Sequence, residues 1–251
     1  MIEARGITKR FDGREVLSDV SATFEERKVN FIIGRSGSGK SVLTKCIVGL
    51  FEVEEGSALY HGRNFTAMDR TQRKELRREI GMLFQGGALF DSLTVEQNIV
   101  FPLTMFGKMS KKEMHERVDF CLDRVQLKGS NRLFPAELSG GMKKRVGIAR
   151  AIAMNPRYLF VDEPNSGLDP QTSIVIDNLI REITYDYNIT TIVVSHDMNS
   201  VMEIGDNIIF IYEGKVHWRG DRKSILRSEN KELDDFVYAS DFMRIIKEKL
   251  A

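Results

Sequence analysis

The sequence predicts an α/β fold in which a largely parallel sheet is covered by helices on both faces. Three observations carry this reading. Short apolar runs alternate with helical patterns along the chain. The runs are apolar at consecutive positions, the mark of strands buried on both sides. A glycine-rich turn joins one run to an apolar helical segment.

In chain order, Phe31-Ile32-Ile33 reads as a strand ending at Gly34, with a helix from Lys40 to Leu50. Between about residues 86 and 150 the pattern is mostly helical, and we read this stretch as a helical sub-domain inserted into the α/β core. Within it, Thr94 and Gln97 have the spacing of a capping box. The helix they open runs into Ile99 and Phe101, and Pro102 is expected to bend or end it. Tyr158-Leu159-Phe160-Val161 reads as a strand ending at Asp162, and Thr191-Ile192-Val193-Val194 as one ending at Ser195. Ile208 to Tyr212 leads through Glu213-Gly214 into Lys215-Val216-His217-Trp218 as a hairpin. Residues 1–225 form one domain in this reading, and 226–251 a charged but amphipathic tail. Leu233, Phe236 and Val237 share a helical face there, as do Phe242, Ile245, Ile246 and Leu250. This apolar stripe needs a groove, on its own core or on the neighbouring copy, and the neighbouring copy is the preferred place.

Composition narrows the class. The chain has 251 residues, 42% hydrophobic and 29% charged, the balance of a soluble globular protein with a sizeable core. With 37 basic and 36 acidic residues the net charge is +1, so no strong field draws nucleic acid to the surface. The two cysteines, Cys46 and Cys121, are too few for a disulfide framework and suit a reducing cytosol. The N-terminus has no signal-peptide core, and no run approaches the roughly 18 apolar residues of a membrane span. A membrane role is therefore expected to come through a partner.

Gly34-Arg35-Ser36-Gly37-Ser38-Gly39-Lys40-Ser41 matches the strand–GxxxxGK[ST]–helix pattern of a P-loop. Glycines let the backbone turn tightly and point N–H groups at phosphate oxygens. The helix start adds its positive end, Lys40 places a cation on the β- and γ-phosphates, and the Ser41 hydroxyl can ligate Mg2+. Asp162-Glu163 ends a core strand, where ligands bind in open α/β sheets. Asp162 can hold Mg2+, and Glu163 is placed to polarise an attacking water. His196 ends a third core strand in Val-Val-Ser-His-Asp and is read as a γ-phosphate contact, with a structural role as the alternative. Leu138-Ser139-Gly140-Gly141-Met142 is a second small-residue turn opening a helix, hence a second potential anion site.

With these motifs in order, the chain resembles the ABC-transporter ATPases from about Ile2 to Arg222. The matching parts are the P-loop Gly34–Ser41, Gln85 as the glutamine loop, Leu138–Met142 as the signature, Asp162-Glu163, the turn Ser166-Gly167-Leu168-Asp169, and His196. The resemblance implies a P-loop NTPase core of RecA-like type with an N-terminal antiparallel β sub-domain. It implies ATP and Mg2+ as ligands, and a head-to-tail dimer with two ATP molecules at its interface. Ser139, Gly140 and Gly141 would face the γ-phosphate held by the partner copy. Gln85 would touch Mg2+ or the attacking water and sense integral membrane permease subunits. Asp169 would link the two sites. Phe11 fits the aromatic that stacks on adenine, with a core aromatic on an N-terminal strand as the alternative. Met142 stands where the signature glutamine is usual and cannot donate that amide hydrogen bond.

The stretch Gly81 to Val95, with Asn98, Pro102 and Met142, looks like the ATPase of Mla-type, Mce-linked phospholipid transporters of bacterial envelopes. That resemblance implies a place on the cytoplasmic face of the inner membrane and an Mce-type lipid-binding protein in the complex. Import ATPases for amino acids share most of the same motifs. ABC ATPases not tied to transport usually carry two modules or a long coiled coil, and the chain has neither. The basic runs Arg70 to Arg78 and Lys108, Lys111 and Lys112 read as solvated helix faces.

Overall fold

The computed structural model describes residues 1–107 and 109–239. Lys108 and the second tail stripe (Phe242, Ile245, Ile246, Leu250) lie outside the described residues. The chain divides into two compact units: Met1–Met68 with Ile192–Ala251, and Asp69–Thr191.

The first unit opens with β1 (Ile2–Phe11) and β2 (Arg14–Phe24), an antiparallel pair. The tight turn between them puts Asp12 and Gly13 at positive φ, the backbone that two-residue hairpin loops favour. β3 (Val29–Ile33) is buried at every position, as a strand covered on both faces must be. After the glycine-rich turn comes α1 (Lys40–Ile47). It stops short of the expected Leu50: Val48 caps it, Gly49 takes a left-handed φ of 71°, and Leu50 is largely exposed. β4 (Glu55–Tyr60) and β5 (Arg63–Asn64) complete a four-stranded sheet in the order β2-β1-β4-β5, with antiparallel pairing throughout. This is the antiparallel β sub-domain the resemblance implied.

The second unit begins with α2 (Arg70–Arg78), opened by an Asp69–Gln72 capping box. β6 (Ile80–Leu83) follows, then α3 (Val95–Phe106), α4 (Lys111–Arg124) and α5 (Gly140–Ile152). β7 (Tyr158–Asp162) is wholly buried and pairs in parallel with β6. α6 (Pro170–Asp186) leads into β8 (Thr190–Val194), giving the strand order β8-β7-β6. The Thr94–Gln97 capping box opens α3 with both of its reciprocal hydrogen bonds. Pro102, however, does not end that helix, which continues to Phe106. Proline removes one backbone donor. The burial of Ile99 and Leu103 holds the helix regardless, and so does the Asn98 side chain: its Nδ2 donates to the Phe90, Leu93 and Thr94 carbonyls and its Oδ1 accepts from the Phe90 amide.

The division between the units falls within β8, and the chain then returns to the first unit. There α7 (Met198–Ile204), β9 (Asn207–Tyr212) and β10 (Lys215–Gly220) follow. β9 lies parallel to β3 and antiparallel to β10, in the order β10-β9-β3-β8. The last described helix, α8 (Lys231–Val237), buries Leu233 and Val237. The Phe236 ring lies 5.5 Å from Phe210, and the Tyr238 hydroxyl donates to Leu226 O at 3.2 Å. This first tail stripe is therefore satisfied within its own chain, contrary to the expectation that it docks on a neighbour: β9 already supplies the groove. Cys46 and Cys121 are free and buried, and burial pushes both thiols up to about 11.

Candidate functional site

In the first unit, β3 delivers the chain into the turn Gly34–Gly39. Gly34, Gly37 and Gly39 all have positive φ. At Gly34 the need is steric as well: a Cβ there would stand 2.2 Å from the Ile211 carbonyl oxygen. Lys40 is buried, and its ammonium donates to the carbonyls of Gly34 and Arg35 at 2.8 and 2.9 Å. The cation is thus folded back over the turn that α1 closes. Arg35, Ser36 and Gly37 form the exposed tip. The Ser38 hydroxyl is buried with no hydrogen-bond partner among the described residues, an arrangement that costs free energy unless a ligand oxygen satisfies it. An open cleft of about 730 Å3 adjoins the turn, walled by Arg14, Glu15, Val16, Arg35–Ser38 and the hairpin turn at Glu213-Gly214. Phe11 ends β1, half-exposed and edge-on to Phe51 at 5.2 Å, just before the turn leading to Arg14 in the cleft wall. The Ser195 amide donates to Ile32 O at 3.2 Å, so exposed His196 emerges beside the end of β3.

In the second unit, β7 ends at buried Asp162, and Glu163 follows with a left-handed φ of 47°. That conformation costs a non-glycine residue about 1–3 kcal/mol and persists only where neighbours fix it. The neighbours are Lys144 of α5 and Ser166. The Lys144 ammonium, 4% exposed, donates to Glu163 O at 3.0 Å and Ser166 Oγ at 3.3 Å, while Ser166 Oγ donates to Glu163 O at 3.1 Å. Burial lowers the Lys144 pKa, and the Glu163 and Asp162 charges oppose that shift.

Ser139 caps α5 by accepting from the Met142 amide at 3.2 Å. Asp169 caps α6, accepting from the Thr172 amide and hydroxyl, which hold its carboxyl below the usual range. A Cβ on Gly141 would meet Thr172 Cγ2 at 2.5 Å, and one on Gly140 would meet Leu168 at 3.5 Å. The structure therefore brings Ser139–Gly141, Asp169 and the Glu163 turn into one neighbourhood. Gln85 lies exposed two residues beyond β6. Beside it runs an apolar groove of about 460 Å3, lined in part by Met82, Phe84, Phe90, Phe101 and Phe106. Arg150 of α5 donates to the Gly87 and Ala88 carbonyls, both at 2.8 Å, and pins the loop past Gln85.

Lys144 and Arg150 carry no role in the sequence reading, and Ser166 enters it only as part of the Ser166–Asp169 turn. A signal for Lys144 existed: it shares the buried face of α5 with Ile148 and Ala151, a charged residue at an apolar period.

The ABC transporter family model matches residues 17–166 of the chain. The chain belongs to the ABC transporter family. A methionine import ATP-binding protein MetN of Desulfitobacterium hafniense is 37% identical over 259 residues, covering 100% of this chain and 76% of that protein. A probable ribonucleotide transport ATP-binding protein mkl of Mycobacterium leprae is 35% identical over 236 residues, covering 94% of this chain and 68% of that protein. Among solved structures, the dimeric bacterial ABC transporter cassette MJ0796 superposes with a TM-score of 0.81 at 31% identity, covering 88% of this chain and 99% of that one. The same cassette has been solved as a dimer in a post-hydrolysis state bound to ADP and Pi. CbiO1 of Clostridium perfringens, part of an ABC transporter complex, gives 0.84 at 28% identity, covering 99% of this chain and 98% of that one. The chain is thus an ABC ATPase subunit with a P-loop NTPase fold, and ATP hydrolysis is its reaction. No helix among the described residues is long and apolar enough to cross a membrane.

Proposed function

We propose that this ABC ATPase drives phospholipid movement at the bacterial envelope, as a head-to-tail pair on the cytoplasmic face of the inner membrane. What supports the substrate class is the Gly81–Val95 stretch with the Met142 signature, which resemble those of Mla-type ATPases. In this reading the partners are integral membrane permease subunits and an Mce-type lipid-binding protein. The apolar groove beside Gln85 offers a permease helix a seat: Phe90 and Phe101 are exposed there, with ring centroids 4.8 Å apart.

The site residues take the following roles. The Gly34–Ser41 turn holds the triphosphate, with Lys40 on its β- and γ-oxygens and the buried Ser38 hydroxyl finding its missing partner there. Phe11 stacks on adenine. Glu163 takes the proton of the attacking water, which Gln85 orients, and His196 contacts the γ-phosphate. Ser41, Asp162 and Gln85 would hold Mg2+, which when bound neutralises phosphate charge. Ser139, Gly140 and Gly141 close on the nucleotide of the partner copy, and Asp169 links the two sites. Charge-assisted hydrogen bonds contribute about 1.5–3 kcal/mol each, so a few per site shift an open–closed equilibrium strongly. Hydrolysis and phosphate release remove them, and the permease follows the reopening.

Glu163→Gln is expected to trap an ATP-bound dimer by size-exclusion chromatography and to lower turnover at least a hundredfold (about 2.7 kcal/mol). Turnover at the normal rate rejects the base assignment.

A second reading, amino-acid import, is favoured by the 37% identity to a methionine import ATPase. ATPase assays on the purified membrane complex separate the two. Stimulation by phospholipid vesicles supports the first reading; stimulation by methionine with its binding protein supports the second.

A further inference from the structure

Helix α5 does two things at once. Its N-terminal residues, Ser139–Gly141, form the signature, and one turn later its Lys144 reaches into the Glu163 turn. The buried ammonium finds two neutral oxygens there, Glu163 O at 3.0 Å and Ser166 Oγ at 3.3 Å. Ser166 closes the triangle by donating to Glu163 O at 3.1 Å. Burying a lysine is costly, a cost the nearby Asp162 and Glu163 charges offset in part, and an apolar side chain of the same length would fill the space without it. The cation is spent on a backbone that needs restraint, since Glu163 is held at a φ of 47°.

We propose that Lys144 is a positioning residue for Glu163, fixing the direction of its carboxylate through the backbone and tying that direction to the pose of the signature helix. This rests on the assignment of Glu163 as the general base. In the head-to-tail pair the signature serves the partner's nucleotide, whereas Glu163 serves its own. Lys144 therefore makes each chain's base sensitive to whether its own signature has closed on the other site. Close packing makes the helix a stiff link: a Cβ at Gly147 would stand 2.5 Å from Leu83 Cδ1, and one at Gly141 2.5 Å from Thr172 Cγ2.

The test is Lys144→Met in the full chain, which keeps the apolar stem and removes the donor. Expected is a fall in kcat of about ten- to a hundredfold, the worth of a charged hydrogen bond felt in the transition state, with KM for ATP within about twofold. In single-turnover measurements the loss should vanish in a Glu163→Gln background, because residues acting through one group are not additive. An unchanged kcat, a loss that disappears on correction for folded fraction, or a full additional loss on top of Glu163→Gln overturns the proposal. Should Lys144→Met fail to fold, Ser166→Ala opens the same triangle: a several-fold fall in kcat at constant KM supports the proposal, and normal kcat overturns it. The underlying assignment fails separately, if Glu163→Gln alone turns over normally.

Discussion

Gly34 shows how one residue sets the geometry of the phosphate turn. Its φ of 148° and the 2.2 Å approach to Ile211 O leave no room for a side chain. Gly34→Ala should lower stability by about 2–4 kcal/mol, read by urea denaturation, because the clash is with backbone rather than with a movable side-chain tip. A change below 1 kcal/mol would show that β3 and β9 can part without penalty. The glycines, Lys40 and the strand before them were legible in the sequence, since a P-loop is a contiguous pattern whose parts have fixed local roles. The contacts of Lys144 and Ser166 with the proposed base were not, although Ser166 belongs to a turn the motifs mark. Their partners lie 19 and 3 residues away, across a turn whose left-handed backbone no residue type announces. Glutamate is a poor marker of positive φ.

At the scale of elements, the capping box at Thr94 and the buried strands were readable because their determinants are local. Pro102 does not end α3, and the first tail stripe packs on its own chain, because packing decides both. Pro102 costs one hydrogen bond in a helix whose other face is fully buried, so α3 runs on. The tail stripe looked like a partner's groove-filler, but α8 lays Leu233 and Val237 on its own unit beside Phe210. Truncation after Arg227 should therefore destabilise the monomer. Each of those two side chains is worth about 1.5–3 kcal/mol of burial, so the thermal midpoint should drop clearly relative to a chain ending at Ala239. An unchanged midpoint, accompanied by weaker pairing, would return α8 to the interface.

At the scale of the whole molecule, nucleotide sandwiched in the proposed way needs two chains. One chain carries a lysine-bearing cradle and, on a separate helix, a second small-residue turn. The related cassette MJ0796 has been solved as a dimer, and also with ADP and Pi bound. Here the proposal is that nucleotide bridges the two kinds of turn. The most direct measurement is hydrogen–deuterium exchange of the Gly140–Met142 amides in Glu163→Gln protein, with and without ATP, at concentrations above and below that at which the chain pairs. Protection that appears with ATP and only when the chains pair is the predicted result. Exchange at those amides that stays the same under all four conditions would contradict it.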